Sequence, residues 1–343
     1  MVSHTAQPNR LRLEHIEEAA RVIDPVFRDT PQFLAESLGA ELGVRLVCKV
    51  ETANPLRSFK GRGADYFVHR LRGAAAGPLV CASAGNFGQG LAYAGRRRGL
   101  RVEVFAAEGA SESKVEQMLR FGARVHLVGR DFDEAKAAAR AYAARSGARF
   151  VEDGADAAIA EGAGTIGLEL GRWPEAFDAA LVPLGNGALL AGVARALKAR
   201  RPGVRVVGVC AAGAPAMAHA WQTGEPRAAA RAETVADGIA VRVPVPEAVD
   251  DVRALADEVV LVEDDALVAA TRLAFDHLGL LVEPAGVAGL AALLAYPGRF
   301  AGALVATPLC GGHVAPALAR RWLSERPPAW AGRARVEAGG VRP

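Results

Sequence analysis

Short apolar runs alternate with stretches of helical spacing along most of the chain, and this alternation narrows the open folds more than any other feature. Leu46-Val47-Cys48, Leu79 to Ala82, Val102 to Ala106, Arg124 to Val128 and Arg149 to Val151 read as strands. Helical spacing fills the stretches near Phe87 to Arg98, Glu112 to Phe121 and Phe132 to Ala144. After Asp153 the alternation resumes. Strands are expected at Ala179 to Pro183, Val204 to Cys210, Glu258 to Val262 and Ala303 to Ala306. Helices are expected at Leu189 to Arg200, Asp265 to Leu278, Ala285 to Leu294 and Val314 to Leu323. Strand, helix and strand at this spacing build right-handed βαβ units and open, mostly parallel sheets flanked by helices. Upstream, helical spacing from Leu13 stops at Asp24-Pro25, and Thr30-Pro31 is expected to open a short helix through Leu34 and Leu38. At roughly 150 residues per domain, 343 residues imply two domains.

Hydrophobic residues make up 51% of the chain and aromatics 6%, so the core must be built mainly from Ala, Val and Leu. A net charge of +3 is too balanced for a nucleic-acid or membrane partner. The run Arg96-Arg97-Arg98 reads as a solvated helix end. Cys48, Cys81, Cys210 and Cys310 have no CxxC spacing and read as free thiols in a reducing compartment, with no metal site. Met1 to Arg10 is polar and carries no signal-peptide core. No uncharged apolar stretch approaches the ~20 residues of a membrane span, so a cytoplasmic protein is expected.

Ligands of open α/β sheets bind at the carboxyl ends of strands, which directs attention to four turns. In the first, Ser58-Phe59-Lys60-Gly61-Arg62-Gly63-Ala64, Ser58 is the expected N-cap and Lys60 lies in the first helical turn. The positive end of the helix dipole there favours a neutral, nucleophilic amine. Gly61 and Gly63 are expected to let a flat ligand approach the backbone. Lys60 therefore reads either as a Schiff-base lysine for pyridoxal 5′-phosphate (PLP) or as an exposed lysine beside a turn. The second turn, Ser83-Ala84-Gly85-Asn86-Phe87-Gly88-Gln89-Gly90, offers a hydroxyl and new helix amides to a carboxylate, or is an N-capped helix with packing glycines. The third, Pro183 to Gly192, presents Gly185, Asn186 and Gly187 as a backbone cradle for a phosphate; no ribose-binding acid follows, so a dinucleotide fits poorly. The fourth, Thr307 to His313, carries Cys310. Beside a pyridine nitrogen a neutral thiol gives a weaker electron sink than an aspartate would, and otherwise Cys310 is a small buried hydrophobe.

Taken together, the chain from about Leu13 to Leu323 resembles the fold-type II PLP enzymes of the threonine/serine dehydratase family, whose architecture is that of tryptophan synthase β. The motifs that carry the likeness are Ser-Phe-Lys60-Gly-Arg-Gly-Ala, Ala-Ser-Ala-Gly-Asn86, Pro183 to Gly192, Thr234 to Val241, Val282 to Gly286 and Cys310-Gly311-Gly312. The resemblance implies a large PLP-binding domain of residues 13–53 and 156–324, a small substrate-loop domain of 54–155, a flexible tail at 325–343, and the cofactor between the domains. It also implies roles. Lys60 carries the cofactor and removes the Cα proton, and Phe59 packs near the ring. Asn86 bonds the ring oxygen. Ser83, Ala84, Gly85 and Phe87 line the substrate carboxylate. Gly185, Asn186, Gly187, Ala188 and Leu189 hold the phosphate, Cys310 faces the ring nitrogen, and Gly238 and Glu283 line the substrate side.

The family pattern is not complete. Asn186 and Ala188 replace two glycines of the usual phosphate loop, Phe87 stands where histidine is common, and Ala84 stands where racemases carry a second acid/base serine. Gly208 to Gly213 lacks the carboxylate of a divalent-cation site, and the 33 residues after Cys310 leave no room for a regulatory domain. The expected activity is β-elimination from a small β-hydroxy amino acid, L-threonine or L-serine, to a 2-oxo acid and ammonia, by a homodimer or homotetramer. Two alternatives stand beside it. One is a β-replacement synthase using the same aminoacrylate, and the other is a PLP-binding protein without turnover.

Overall fold

The alternating order is taken up in a computed structural model that describes residues 10–71 and 77–324; the tail expected at 325–343 lies outside the described residues. The first half runs α1 (Leu13–Val22), β1 (Gln32–Leu34), α2 (Glu36–Leu42), β2 (Arg45–Val50), α3 (Lys60–Arg70), β3 (Leu79–Ala82), α4 (Asn86–Arg97), β4 (Val102–Ala106), α5 (Glu112–Arg120), β5 (Arg124–Leu127), α6 (Phe132–Ser146) and β6 (Arg149–Phe150). The second half runs α7 (Ala157–Leu170), β7 (Ala179–Pro183), α8 (Ala188–Arg200), β8 (Arg205–Ala211), α9 (Ala216–Thr223), α10 (Pro246–Leu255), β9 (Glu258–Val262), α11 (Asp264–Leu278), α12 (Ala288–Ala295), β10 (Leu304–Leu309) and α13 (Pro316–Ser324).

These strands form two sheets. One has six strands in the order β1-β2-β10-β7-β8-β9, and the other four in the order β5-β4-β3-β6. All neighbours are parallel except β1 and β2. The four-stranded sheet comes wholly from residues 79–150.

The helix expected from Thr30 through Leu34 and Leu38 is instead a strand followed by a helix. Gln32, Phe33 and Leu34 pair antiparallel with Lys49, Cys48 and Val47, and α2 begins only at Glu36. The edge of the sheet supplies backbone partners that local spacing cannot reveal, and that pairing wins. Helices α7, α9 and α10 occupy stretches where the spacing gave no assignment. The reason is plainest for α7, which is buried on every side from Ile159 to Leu170 and so shows no polar face. A Cβ added at Gly162 would lie 2.7 Å from the Gly63 Cα, and one at Gly164 would lie 2.9 Å from the Gly192 carbonyl. Both α3 and α8 therefore rest on α7 at backbone contact, and the starts of α3 and α8 are the first and third turns singled out in the sequence.

The largest core cluster joins both sheets, with Phe67, Leu91 and Val104 packed in one cluster with Val182, Leu190 and Leu197. Each such side chain contributes roughly 1.5–3 kcal/mol through burial. All four cysteines are buried and free, and burial pushes the thiols of Cys48, Cys81 and Cys210 up to about 12. The arginine run ending α4 is not simply solvated, since Arg97 and Arg98 pair with Asp24 and Asp65. Among the described residues no helix is long and apolar enough to cross a membrane.

Candidate active site

Loops from both sheets line a cavity of about 460 Å³. Its walls include every residue to which the family likeness assigned a role: Phe59, Lys60, Ser83, Ala84, Gly85, Asn86, Phe87, Gly185, Asn186, Gly187, Ala188, Leu189, Gly238, Glu283 and Cys310.

Lys60 is the first residue of α3, and the N-cap position falls on Phe59, which provides no side-chain cap. Ser58, the expected cap, forms an antiparallel bridge with Gly311, and its hydroxyl accepts only a long 3.4 Å bond from the Lys60 amide. The Lys60 Nζ lies 4.5 Å from the centre of the Phe59 ring and donates to Asp153 Oδ2 at 2.5 Å. This carboxylate was not anticipated. It follows the two-residue strand β6, at the carboxyl end where ligands of parallel sheets bind, in a turn marked by Gly154 at φ +94°, a signal obscured because the strand before it is so short. Gly61 and Gly63 do not open the backbone to a ligand as expected. A Cβ at Gly61 would collide with the Phe27 ring and one at Gly63 with the backbone of Ile159, so both glycines serve packing.

At the start of α4, Gly85 occupies the N-cap and Ser83 Oγ accepts from the amides of Gly85 (3.1 Å) and Gly88 (2.9 Å). With its acceptor sites used, the serine hydroxyl is left to donate, which suits an anion in the cavity. Asn86 Nδ2 donates to Glu283 Oε1 at 2.8 Å, whereas Asn86 Oδ1 is buried without a partner. Burial pushes the Glu283 carboxyl up to about 7; the charge of Asp237 adds to this, while Lys114 and hydrogen bonds from Asn86 and the His313 amide oppose it. Phe87 and Ala84 offer no acid or base.

At the start of α8, Gly187 takes φ +89°, a left-handed conformation that favours glycine, and the helix has no side-chain cap. A Cβ at Gly185 would lie 2.9 Å from the Gly238 carbonyl. Uncapped amides at the positive end of a 13-residue helix are suited to a phosphate dianion. Beyond β10, burial drives the Cys310 thiol far above its ordinary value, with the nearby Glu283 charge adding, so it stays neutral. The residues present thus fit a flat, phosphate-bearing aldehyde: an amine, an anion cradle, an unpaired amide oxygen and a neutral thiol share one cavity.

Ion pairs bring together residues that sequence spacing could not connect. Lys114 of α5 pairs with Asp237, and Asp133 of α6 with Arg242. Lys136 and Arg140 hold Glu152. No sequence signal marks these, because each partner lies in a different element.

Behind the site, Arg62 is fully buried. It donates to Glu51 (2.7 and 2.8 Å), to Glu169 (2.7 and 2.9 Å) and to Thr165 (2.9 Å). Lys49 Nζ lies 2.5 Å from Glu169 Oε2, and Thr30 donates to Glu51 at 2.6 Å. Burial alone would raise the Glu169 carboxyl, but Arg62 and Lys49 hold it down at about 2.

Comparison with known proteins agrees with this geometry. Residues 23–311 match the family described as pyridoxal-phosphate dependent enzyme. L-threonine ammonia-lyase of Geobacter sulfurreducens is 38% identical over 281 residues, 81% of this chain and 70% of that protein. Threonine deaminase isoform 2 of Solanum lycopersicum superposes with a TM-score of 0.83 at 28% identity, covering 92% of this chain and 90% of that one. Maize serine racemase gives 0.84 at 27% identity, covering 90% and 95%. The chain belongs to the family of pyridoxal-phosphate dependent enzymes, is a fold-type II member of it, and acts as an ammonia-lyase.

Proposed function

We propose that the protein eliminates water and then ammonia from a small β-hydroxy amino acid, L-threonine first and L-serine second, to give a 2-oxo acid. The observation that carries this reading is that the Lys60 amine, the uncapped start of α8 and the neutral Cys310 thiol meet in one cavity. The relatives named for threonine support the choice of substrate.

The amides of Gly187 to Leu189 would hold the phosphate, Asn86 the ring oxygen, and Cys310 the ring nitrogen. Bound PLP supplies an aldehyde for the substrate amine and a conjugated ring that delocalises the electron pair left at Cα. The Ser83 hydroxyl and the first amides of α4 orient the substrate carboxylate. Lys60, once released, takes the proton from Cα. Cys310 holds no charge beside the ring nitrogen, which limits carbanion stabilisation and favours loss of the β-substituent over transamination. Ala84 provides no second acid or base, so proton return to the opposite face of Cα has no donor there.

The two sheets support the division into a unit of residues 13–53 with 156–324 and a unit of 54–155. We assign the protein to the cytoplasm as a homodimer or homotetramer on the family likeness and the four free thiols. Purified protein should be yellow and should release oxo acid from L-threonine or L-serine in a panel with their D-forms and 3-hydroxyaspartate. Absorbance with no oxo-acid release from any member would overturn the elimination reading, and a nucleophile-dependent product would replace it with β-replacement.

A further inference from the structure

Asp153 is an unusual neighbour for a lysine that must act as a nucleophile. It is 8% exposed, lines the cavity, and holds Lys60 Nζ at 2.5 Å through Oδ2, while its Oδ1 is buried with no partner. The other carboxylates nearby have their own cations or donors. Glu152 holds Lys136 and Arg140, Asp133 holds Arg242, Asp237 holds Lys114, Glu51 holds Arg62, and Glu283 receives Asn86. The groups facing the pair from neighbouring strands, Cys81 on β3 and Cys310 beyond β10, are buried thiols kept neutral. Lys60 itself begins α3, whose first turn contains no acidic residue, so the helix end repels a charge on its nitrogen. Burying a carboxylate with one unpaired oxygen is costly, and among the described residues Lys60 is the cation that offsets that cost.

We propose that Asp153 is the counter-ion of the Lys60 nitrogen. It stabilises that nitrogen whenever it carries a proton, both linked to the cofactor and free, and it keeps the released ammonium at the cavity wall so that it returns to the same place. Asp153 is a positioning residue, acting through Lys60. The inference rests on Lys60 being the cofactor lysine.

The test is a pH titration of the visible absorbance of the holoenzyme. An opposite charge at this distance favours the charged form by about 1–3 pH units, so Asp153→Asn should move the spectral transition down by that amount. If the wild-type transition lies above the accessible range, its appearance in Asp153→Asn is the shift. Asp153→Glu should restore the wild-type position in large part, and Glu152→Gln, one residue away but paired elsewhere, should leave it in place. An Asp153→Asn titration coincident with wild type, or an equal shift in Glu152→Gln, overturns the proposal. Should Asp153→Asn fail to retain cofactor, the pH dependence of Lys60 acetylation is read by mass spectrometry on the cofactor-stripped full chain. Half-reaction should fall to lower pH in the variant, and an unchanged profile overturns the proposal. Lys60→Ala separates the two levels: a visible band surviving in that variant would sink the assignment of Lys60, whereas loss of its band with an unshifted Asp153→Asn would sink only the role of Asp153.

Discussion

On one side of α3, Arg62 is locked between two carboxylates with all of its donors engaged; two positions earlier, Lys60 faces a cavity beside one carboxylate with a free oxygen. Two steps along a helix turn the side chain by about 200°, so one short helical start serves both regions. Both contain buried charge, but they are satisfied differently. Around Arg62, every cation meets a carboxylate, and Thr30 and Thr165 take up further bonds. Around the cavity, Asn86 Oδ1 and Asp153 Oδ1 lack partners and Glu283 is pushed toward neutrality. The first region holds α3 in place, and the second leaves polar groups to be completed by a ligand.

Exchanging one residue on each side breaks the comparison most directly. Lys60→Ala should lower turnover by at least about 10³-fold, equivalent to about 4 kcal/mol, and abolish the visible band. Its main loss is in chemistry, although Asp153 is left buried without its cation and some stability is lost with it. Residual turnover near wild type would remove Lys60 from the chemistry. Arg62→Met should do the opposite in kind. It leaves Glu51 and Glu169 buried with one cation, Lys49, between them, and should cost about 3–5 kcal/mol in urea unfolding. A loss below about 1 kcal/mol would mean that the cluster does not anchor α3.

The two regions also differ in what the sequence discloses. Lys60, Asn86, Gly187 and Cys310 were legible because each follows a strand at a turn with distinctive residues, and parallel sheets place such turns together. Asp153 also follows a strand, but one of only two residues, and although Gly154 marks its turn, its meaning arises only when Lys60 is brought 2.5 Å away. The supporting cluster was silent for a similar reason. Lys49 and Glu51 at the end of β2 look like solvent-facing charges until β1, α3 and α7 enclose them. Strand β1 was misread because its backbone partners lie in another segment, and α7 was missed because burial on all sides erases the polar face that marks a surface helix. Elements defined by their own residues could be read, whereas contacts between distant charged residues could not.

A subtler difference between the regions lies in how each responds to pH. Glu283 is raised to about 7 in the folded chain from an ordinary value of 4.5, chiefly by burial, so folding favours its protonated form. Its contribution to stability is fully present below pH 4.5 and is lost as pH rises through 7, by up to about 3 kcal/mol. The charged groups facing it are Lys114, which resists this loss, and Asp237, which adds to it. Glu169 shifts the other way, held at about 2, so its contribution is fully present above pH 4.5 and lost only as pH falls toward 2. Between pH 5 and pH 8 Glu169 is therefore silent and Glu283 is not. Glu283→Gln keeps an acceptor for Asn86 Nδ2 and removes the titration. Urea unfolding of the full chain at pH 5 and pH 8 should show wild type losing stability relative to the variant across that interval. If the two proteins keep a constant difference, Glu283 ionises as an ordinary carboxylate and the wall of the cavity is as well satisfied as the cluster behind it.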